Sequence, residues 1–295
     1  MNKKKLQVII GSDGLIGQKL SKNLKSENII TISKKKKPSN KHHYSGNIEN
    51  LNFLKKTHNL LKKKKIKKII VYYLAGHSRA RYNKNKLRNI LISTTKKLTN
   101  ILETFKGPNV KIILCSSGSV YAPNKTKLNE SSKVKPLSLY SNIKLLEENI
   151  ALEYARNLKT KIVIGRIFSI YAPNAKNFFI NDAKSKMKSN KTKITFNGSG
   201  KQARDYLHLN DVCEGLKILS VKGKTNQIYN ICSGKFYYLK EILSTINKTF
   251  CNNSKTIFWN NDNEFNENDF WYGSNNKIKK LGFHPYTLKL KDFLN

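Results

Sequence analysis

The stretch "QVIIGSDGLIGQKLSKNL", Gln7–Leu24, decides how the chain folds. An apolar run ends at Ile9 and Ile10, and Gly11, Gly14 and Gly17 follow at intervals of three. Leu15 and Ile16 then open a segment with helical spacing. In a strand, glycine turn and helix, the free amides and dipole of the helix N-terminus can meet a phosphate. The glycines allow a sharp turn and a close approach of the ligand to the backbone. The spacing is Gly-x-x-Gly-x-x-Gly rather than Gly-x-Gly-x-x-Gly, and it would serve a plain tight turn equally well.

Further short apolar runs recur at Ile29–Ser33, Ile69–Leu74, Val110–Cys115 and Lys161–Gly165. Between them lie stretches with apolar residues at helical intervals. One carries Leu51, Leu54, Leu60 and Leu61, another Leu87, Ile90, Leu91, Leu98, Ile101 and Leu102, and a third Leu145, Leu146, Ile150, Leu152 and Leu158. Strands alternating with helices predict a parallel sheet covered on both faces. Right-handed crossovers make it a doubly wound α/β sheet of the Rossmann type. This domain is expected over residues 1–170. Beyond Tyr171 the rhythm loosens into loops such as "NGSGKQARDY" (Asn197–Tyr206), so residues 171–295 are expected to form a smaller substrate-binding lobe. Its helices start near Asp211 and Leu239, and some of its strands return to the main sheet.

The 295 residues carry 57 basic against 18 acidic side chains, a formal charge of +39. Only six of the basic residues are arginine. Nucleic-acid sites favour arginine for its planar fork, and the lysines are spread along the whole chain. The excess is read as solvated surface that attracts anions without specificity, not as a specific nucleic-acid face. Cys115, Cys213, Cys232 and Cys251 stand far apart with no CxxC pair, and no HExxH occurs, which argues against a zinc site or a disulfide framework. No apolar run approaches the ~20 residues of a membrane span. Lys3–Lys5 followed by Leu6–Ile10 only faintly mimics a signal peptide, so the expected location is the cytoplasm.

If the glycine turn holds a dinucleotide, a ribose-binding carboxylate is expected at the end of the second strand. Ser33 stands there, followed by Lys34. A hydroxyl beside lysines suits the 2′-phosphate of NADP better than the free diol of NAD, although lysine is abundant everywhere in this chain. Either dinucleotide stays open, with a lean to NADP.

In "LSLYSNIKLLEENIALEYA", Tyr140 and Lys144 fall one helical turn apart and so share a face. A phenol, with a pKa near ~10, is a poor acid or base at neutral pH. A neighbouring ammonium favours the phenolate and makes the pair a plausible proton relay. The same spacing also occurs in ordinary amphipathic helices. Upstream, "IILCSSGSVYAP" (Ile112–Pro123) ends a strand in serines, and the carboxyl end of a parallel strand faces the ligand crevice. A hydroxyl there can hydrogen-bond an oxygen passing between alcohol and carbonyl; a polar turn is the alternative. Arg204, in "GSGKQARDY", can grip a diphosphate bidentately or pair with Asp205 or Asp211.

In this order the motifs resemble the extended short-chain dehydrogenases/reductases, in the NAD(P)-dependent epimerase/dehydratase branch acting on nucleotide sugars. The resemblance runs from Gly11/Gly14/Gly17 through "YLAG" (Tyr73–Gly76), "SSGSVYA" (Ser116–Ala122), "YSNIK" (Tyr140–Lys144) and "GRIFSIYAPN" (Gly165–Asn174) to "RDYLHLNDV" (Arg204–Val212) and "YNICSG" (Tyr229–Gly234). It implies Tyr140 as acid/base on a sugar hydroxyl, Lys144 on the nicotinamide ribose, and Ser117 on the same sugar oxygen with Ser119 nearby. It implies cofactor contacts from Gly11, Asp13, Gly14, Leu15, Ile16 and Gly17. Ser33, Lys34, Asn47, Ile48, Leu74, Ala75, Gly76 and Cys115 complete that set. Asn177 and Phe178 would contact the nucleotide sugar and Arg204 its diphosphate. A homodimer pairing the helices Arg88–Leu102 and Tyr140–Leu158 is implied as well.

The departures from the family pattern narrow the chemistry. Its sugar 4,6-dehydratases carry an Asp-Glu pair where this chain has Gly118 and Ser119. Sugar-acid decarboxylases usually have a glutamate at the second of these positions, and in fucose-synthase-like reductases a nearby cysteine falls later than Cys115. An acidic residue often found for the adenine is Asn47 here, and an expected arginine ahead of Asp269 is Asn266. The resemblance then implies an epimerase or a 4-keto reductase in equal measure. The reading from a different class is a catalytically idle dinucleotide-binding or RNA-associated protein on the same scaffold.

Overall fold

The computed structural model describes residues 5–24, 28–35, 42–62, 66–76, 86–158, 160–173, 175, 178–260 and 270–294. The chain forms two compact units that interleave along the sequence. The first takes residues 1–120, 136–166 and 213–229, the second 121–135, 167–212 and 230–295. The chain passes between the two units five times, one of these close to residue 170. Residues 213–229 join the first unit because Leu216 and Leu219 are fully buried and the strand they lead to, Gln227–Ile231, adds to the large sheet.

That sheet contains β1 (Lys5–Ile10), β2 (Ile29–Ser33), β3 (His43–Ser45), β4 (Lys68–Tyr73), β5 (Val110–Ser117) and β6 (Lys161–Ile167). From one edge to the other the order is Gln227–Ile231, β6, β5, β4, β1, β2, β3. Neighbours are parallel, with Val8 opposite both Ile30 and Val71, Thr31 opposite His43 and Val71 opposite Ile112. The order 3-2-1-4-5-6 belongs to doubly wound dinucleotide-binding sheets, whose ligand crevice opens where the winding reverses, between β1 and β4. All five predicted runs are strands of this sheet. β3 was not anticipated, and Gln227–Ile231 was not singled out among the later strands expected to join the main sheet, because three residues of mixed polarity and one isolated run carry too little pattern.

β1, β2, β4, β5 and β6 are buried on both faces, which is why they read as continuous apolar runs rather than alternating ones. Helices α1 (Leu15–Asn23), α2 (Leu51–Lys62), α3 (Leu87–Thr104) and α4 (Leu139–Leu158) supply the covering layers. Val8, Ile10, Ile32, Val71, Leu98, Ile101, Phe105, Ile112, Leu114 and Ala151 form one core with strands and helices interdigitated.

The second unit has its own core around Phe293, whose ring meets Tyr171, Tyr206 and Tyr237 edge-on at centroid distances of 5.2–5.4 Å. It contains the helices Leu209–Lys222 (its first residues only) and Leu239–Cys251, which start close to the predicted Asp211 and Leu239. Among the described residues no helix is long and apolar enough to cross a membrane.

Candidate active site

The β1–α1 turn is built by its glycines, each for a different reason. Gly11 has φ +89°, and a Cβ there would lie 2.8 Å from the Ala75 nitrogen, so both backbone conformation and packing demand glycine. Its amide donates to the Ile32 carbonyl at 2.9 Å, tying the turn to β2. A Cβ on Gly17 would stand 2.4 Å from the Gly11 carbonyl oxygen, so only glycine lets α1 lie this close to the turn. Gly14 has neither constraint. Its backbone is ordinary extended (φ −72°, ψ 162°), it is exposed, and a Cβ would meet nothing closer than 3.4 Å.

The fold thus accounts for Gly11 and Gly17 but not for Gly14. Two facts fit a phosphate group. No side chain caps the N-terminus of α1, and Ser12, fully buried, has a hydroxyl without a hydrogen-bond partner. We predict that Gly14→Ala keeps the melting temperature within about 2 °C while weakening dinucleotide binding at least ~10-fold, since the methyl group would occupy the phosphate's approach. Gly17→Ala is expected to cost about 1–3 kcal/mol of stability with no ligand present, because backbone cannot yield to the added methyl group. Thermal melts and a dinucleotide titration of the two variants check the contrast.

Asp13 Oδ2 accepts the Lys35 amide at 3.2 Å, and the Asp13 carbonyl accepts from the Gln18 side chain at 2.7 Å, so it holds the end of β2 against the turn. Leu15 and Ile16 are half-buried in the first turn of α1. At the β2 end, Ser33 is buried, and its hydroxyl contacts His43 Nε2 at 3.2 Å and the Lys35 carbonyl at 3.3 Å. His43 Nε2 also meets that carbonyl at 2.7 Å, while Nδ1 meets Thr31 Oγ1 at 2.8 Å. The Ser33 hydroxyl is thus already engaged within the fold. Lys34 is exposed, and its charge is felt by Glu49, which also meets Lys97 at 3.3 Å and Ser93 at 2.8 Å. Asn47 is exposed, its Oδ1 accepting the Glu49 amide at 3.2 Å; Ile48 is buried in the core. Leu74 and Ala75 are half-buried and Gly76 is exposed, all directly after β4 at the winding reversal.

Ser117 ends β5, and Gly118–Val120 forms a 3-10 turn after it. The Ser117 and Ser119 hydroxyls lie 3.0 Å apart, and the Ser119 amide donates to Ser117 Oγ at 3.2 Å. Ser138 caps α4, its Oγ accepting the Ser141 amide at 3.2 Å. Tyr140 therefore sits half-buried in the first turn, with Lys144 buried one turn later. Lys144 Nζ donates to the Cys115 carbonyl at 3.1 Å and to Glu147 Oε2 at 2.8 Å. Burial alone would drive the proton off this amine, but the Glu147 carboxylate and the Tyr140 phenol outweigh it and hold Lys144 above the ordinary lysine range. Cys115 contributes its carbonyl. Its thiol is pushed up to about 12 by burial, against the pull of Lys144, and is no nucleophile.

The helix is fastened by a group that the sequence reading overlooked. Glu148, 1 % exposed, receives Arg166 Nη2 at 2.6 Å and Nε at 2.9 Å, and Ser116 Oγ donates to its Oε1. The bidentate pair joins α4 to β6, and Ser116 joins it to β5. The adjacent acids in "LLEENI" were the available signal, in a chain with so few carboxylates. Glu147 shares that signal, three residues after Lys144. His43 and Ser12 had none, since His43 meets Thr31 and Ser33 only across neighbouring strands and Ser12 is marked only by its burial.

The second unit holds the rest. Asn177 lies outside the described residues. Phe178 is the residue before the helix Phe179–Met187. The Arg204 guanidinium stacks on Trp271 at 4.8 Å and donates to the Ala203 carbonyl at 2.9 Å. The Asp205 carboxylate is spent on Ser233, Gly234 and Gly273 rather than on Arg204.

The family pattern described as NAD dependent epimerase/dehydratase matches residues 7–232 of this sequence. The chain belongs to that family. A dTDP-D-glucose 4,6-dehydratase of Dictyostelium discoideum is 27 % identical over 251 residues, 76 % of this chain and 57 % of that protein. An uncharacterized UDP-glucose epimerase of Bacillus subtilis is 29 % identical over 132 residues, 44 % of this chain and 41 % of its own length. The chain thus matches about half the length of these curated relatives. Among solved structures, a UDP-glucose 4-epimerase from Thermotoga maritima with UDP-glucose superposes with a TM-score of 0.80 at 19 % identity, covering 98 % of this chain and 96 % of that one. A dTDP-glucose 4,6-dehydratase from Bacillus anthracis in complex with NAD gives 0.78 at 19 % identity, covering 99 % and 94 %. This epimerase/dehydratase family member therefore shares the doubly wound fold of both enzyme types.

Proposed function

We propose that the protein is an NAD(P)-dependent nucleotide-sugar epimerase or 4-keto reductase, and not a 4,6-dehydratase or decarboxylase. What supports this reading is that Ser117, Ser119, Tyr140 and Lys144 all belong to the first unit, with the two serines 3.0 Å apart and Lys144 anchored to the Cys115 carbonyl on the strand that ends in Ser117. The backbone of Gly11–Gly17 with Ser12 would hold the pyrophosphate, and Leu74–Gly76 and Lys144 the nicotinamide side. When bound, the dinucleotide supplies hydride exchange with a sugar carbon. Ser117 then donates a hydrogen bond to the sugar oxygen, and Tyr140 moves the proton to or from that oxygen as it changes between alcohol and ketone. Lys144 keeps positive charge beside the phenol.

Dehydration needs a second acid and base at the sugar's next carbons. The 3-10 turn offers Gly118, without a side chain, and Ser119, whose hydroxyl already pairs with Ser117. Related dehydratases carry the family name forward, but the Gly-Ser pair favours the simpler chemistry. For the nucleotide sugar, Phe178 and Arg204 are the contacts, with Arg204 pre-oriented by Trp271 for a diphosphate. Exposed Leu87, Leu91 and Ile92 on α3 favour a homodimer through that helix, and a monomer mass in light scattering would refute it.

Denaturing the purified protein and identifying the dinucleotide released tests the class, followed by thermal melts with UDP- and dTDP-sugars. Bound ligand raises the melting temperature as its concentration passes Kd. Retained NAD points to the epimerase, and an empty site preferring NADPH to the reductase; no response to either dinucleotide would sink the reading. The Ser33 hydroxyl is held by His43, so a preference for NADPH would rest on Lys34 alone.

A further inference from the structure

Two adjacent buried carboxylates on α4 have different partners. Glu148 ties the helix to the sheet through Arg166 and Ser116. Glu147, whose side chain is 2 % exposed, has one hydrogen-bond partner among the described residues, the Lys144 ammonium at 2.8 Å. A buried carboxylate is costly unless paired, and an aliphatic side chain at this position would serve packing alone better. The pairing therefore points to Lys144 as the reason for the acid.

An ammonium has three donors. Two are used, on the Cys115 carbonyl and on Glu147. The head group also lies against Gly76, where even a Cβ would come within 2.9 Å of Nζ. One donor remains for a ligand at the loop that follows β4.

We propose that Glu147 is a positioning residue for Lys144, fixing its ammonium between the Cys115 carbonyl and Gly76 and keeping it charged inside the protein. The inference rests on the reading above only for what Lys144 does with its third donor. The pairing itself belongs to the protein without ligand. Burial is the first influence on this amine and works against its charge, and Glu147 is the largest influence opposing it, so removal of the carboxylate leaves only the weaker support of Tyr140 and Cys115 against burial.

The test begins on the free protein. Lys144 is labelled with acetic anhydride, which reacts only with the neutral amine, and quantified by peptide mass spectrometry from pH 7 to 10. In wild type Lys144 is expected to stay nearly unlabelled up to pH 9, whereas Glu147→Gln raises its labelling at least ~10-fold at pH 8–9. Labelling of the exposed Lys240 serves as an unchanged internal reference. Glu147→Asp, which restores the charge, is expected to return labelling most of the way to wild type, and it replaces the glutamine variant should that fail to fold. Equal labelling of Lys144 in wild type and Glu147→Gln overturns the proposal. A second arm measures dinucleotide affinity against pH. Wild type is expected to be flat from pH 7 to 9 and Glu147→Gln to lose about tenfold over that range, a change that mere loss of packing would not make pH-dependent. If wild type binds no dinucleotide, the functional reading fails while the labelling result still decides the role of Glu147.

Discussion

Tyr140→Phe is expected to lower kcat by about 10³-fold on the true nucleotide sugar, roughly 4 kcal/mol of transition-state stabilisation. KM and dinucleotide affinity are expected to stay within about twofold. The phenol is half-buried in the first turn of α4, a turn held by Ser138 and Ser141, and removing its oxygen leaves the helix cap and the Lys144 anchors in place. The loss should therefore fall on the proton transfer alone. Steady-state kinetics with a parallel dinucleotide titration checks it. Wild-type turnover in the variant would assign the acid/base role elsewhere, and loss of dinucleotide binding together with kcat would make Tyr140 a structural residue.

Glu148→Gln is expected to destabilise the protein by about 3–5 kcal/mol, because Arg166 would keep its charge in a buried site without its counter-charge. Arg166 is 3 % and Glu148 1 % exposed, so solvent cannot compensate. A domain is typically stable by only ~5–15 kcal/mol, so the change would move the melting temperature down by roughly 10 °C. Surviving folded enzyme should also lose turnover, since the pair holds α4 against β5 and β6. Thermal denaturation of the variant is the check, and a shift below about 2 °C would mean that the pair contributes little. Glu153 and Arg156 on the same helix, 2.6 Å apart but 61 % and 69 % exposed, provide the contrast. Breaking that surface pair should cost under ~1 kcal/mol.

The doubly wound sheet was legible because its strands are buried on both faces and separated by helical periods, a pattern that needs no partner information. The same holds for the glycine turn and for Tyr140 and Lys144, whose relation is local. Some strand beyond residue 171 was expected in the sheet, but Gln227–Ile231 was not legible as that strand, since its place beside β6 comes from packing across some sixty residues of sequence. The partners of Ser33 show the same limit, since His43 and the Lys35 carbonyl, which its hydroxyl meets, come from the next strand and loop.

The sequence by itself determined the order of strands and helices, the glycine-lined turn and the candidate proton relay, because each depends on residues within one or two turns of one another. Tertiary structure alone decided which glycines the turn's packing and backbone require, that the Cys115 carbonyl accepts from Lys144, and that Glu147 and Glu148 have different partners. Those distinctions depend on burial and on contacts between elements far apart in the chain. Burial is what turns a side-chain charge from a solvated ornament into an interaction that must be paired.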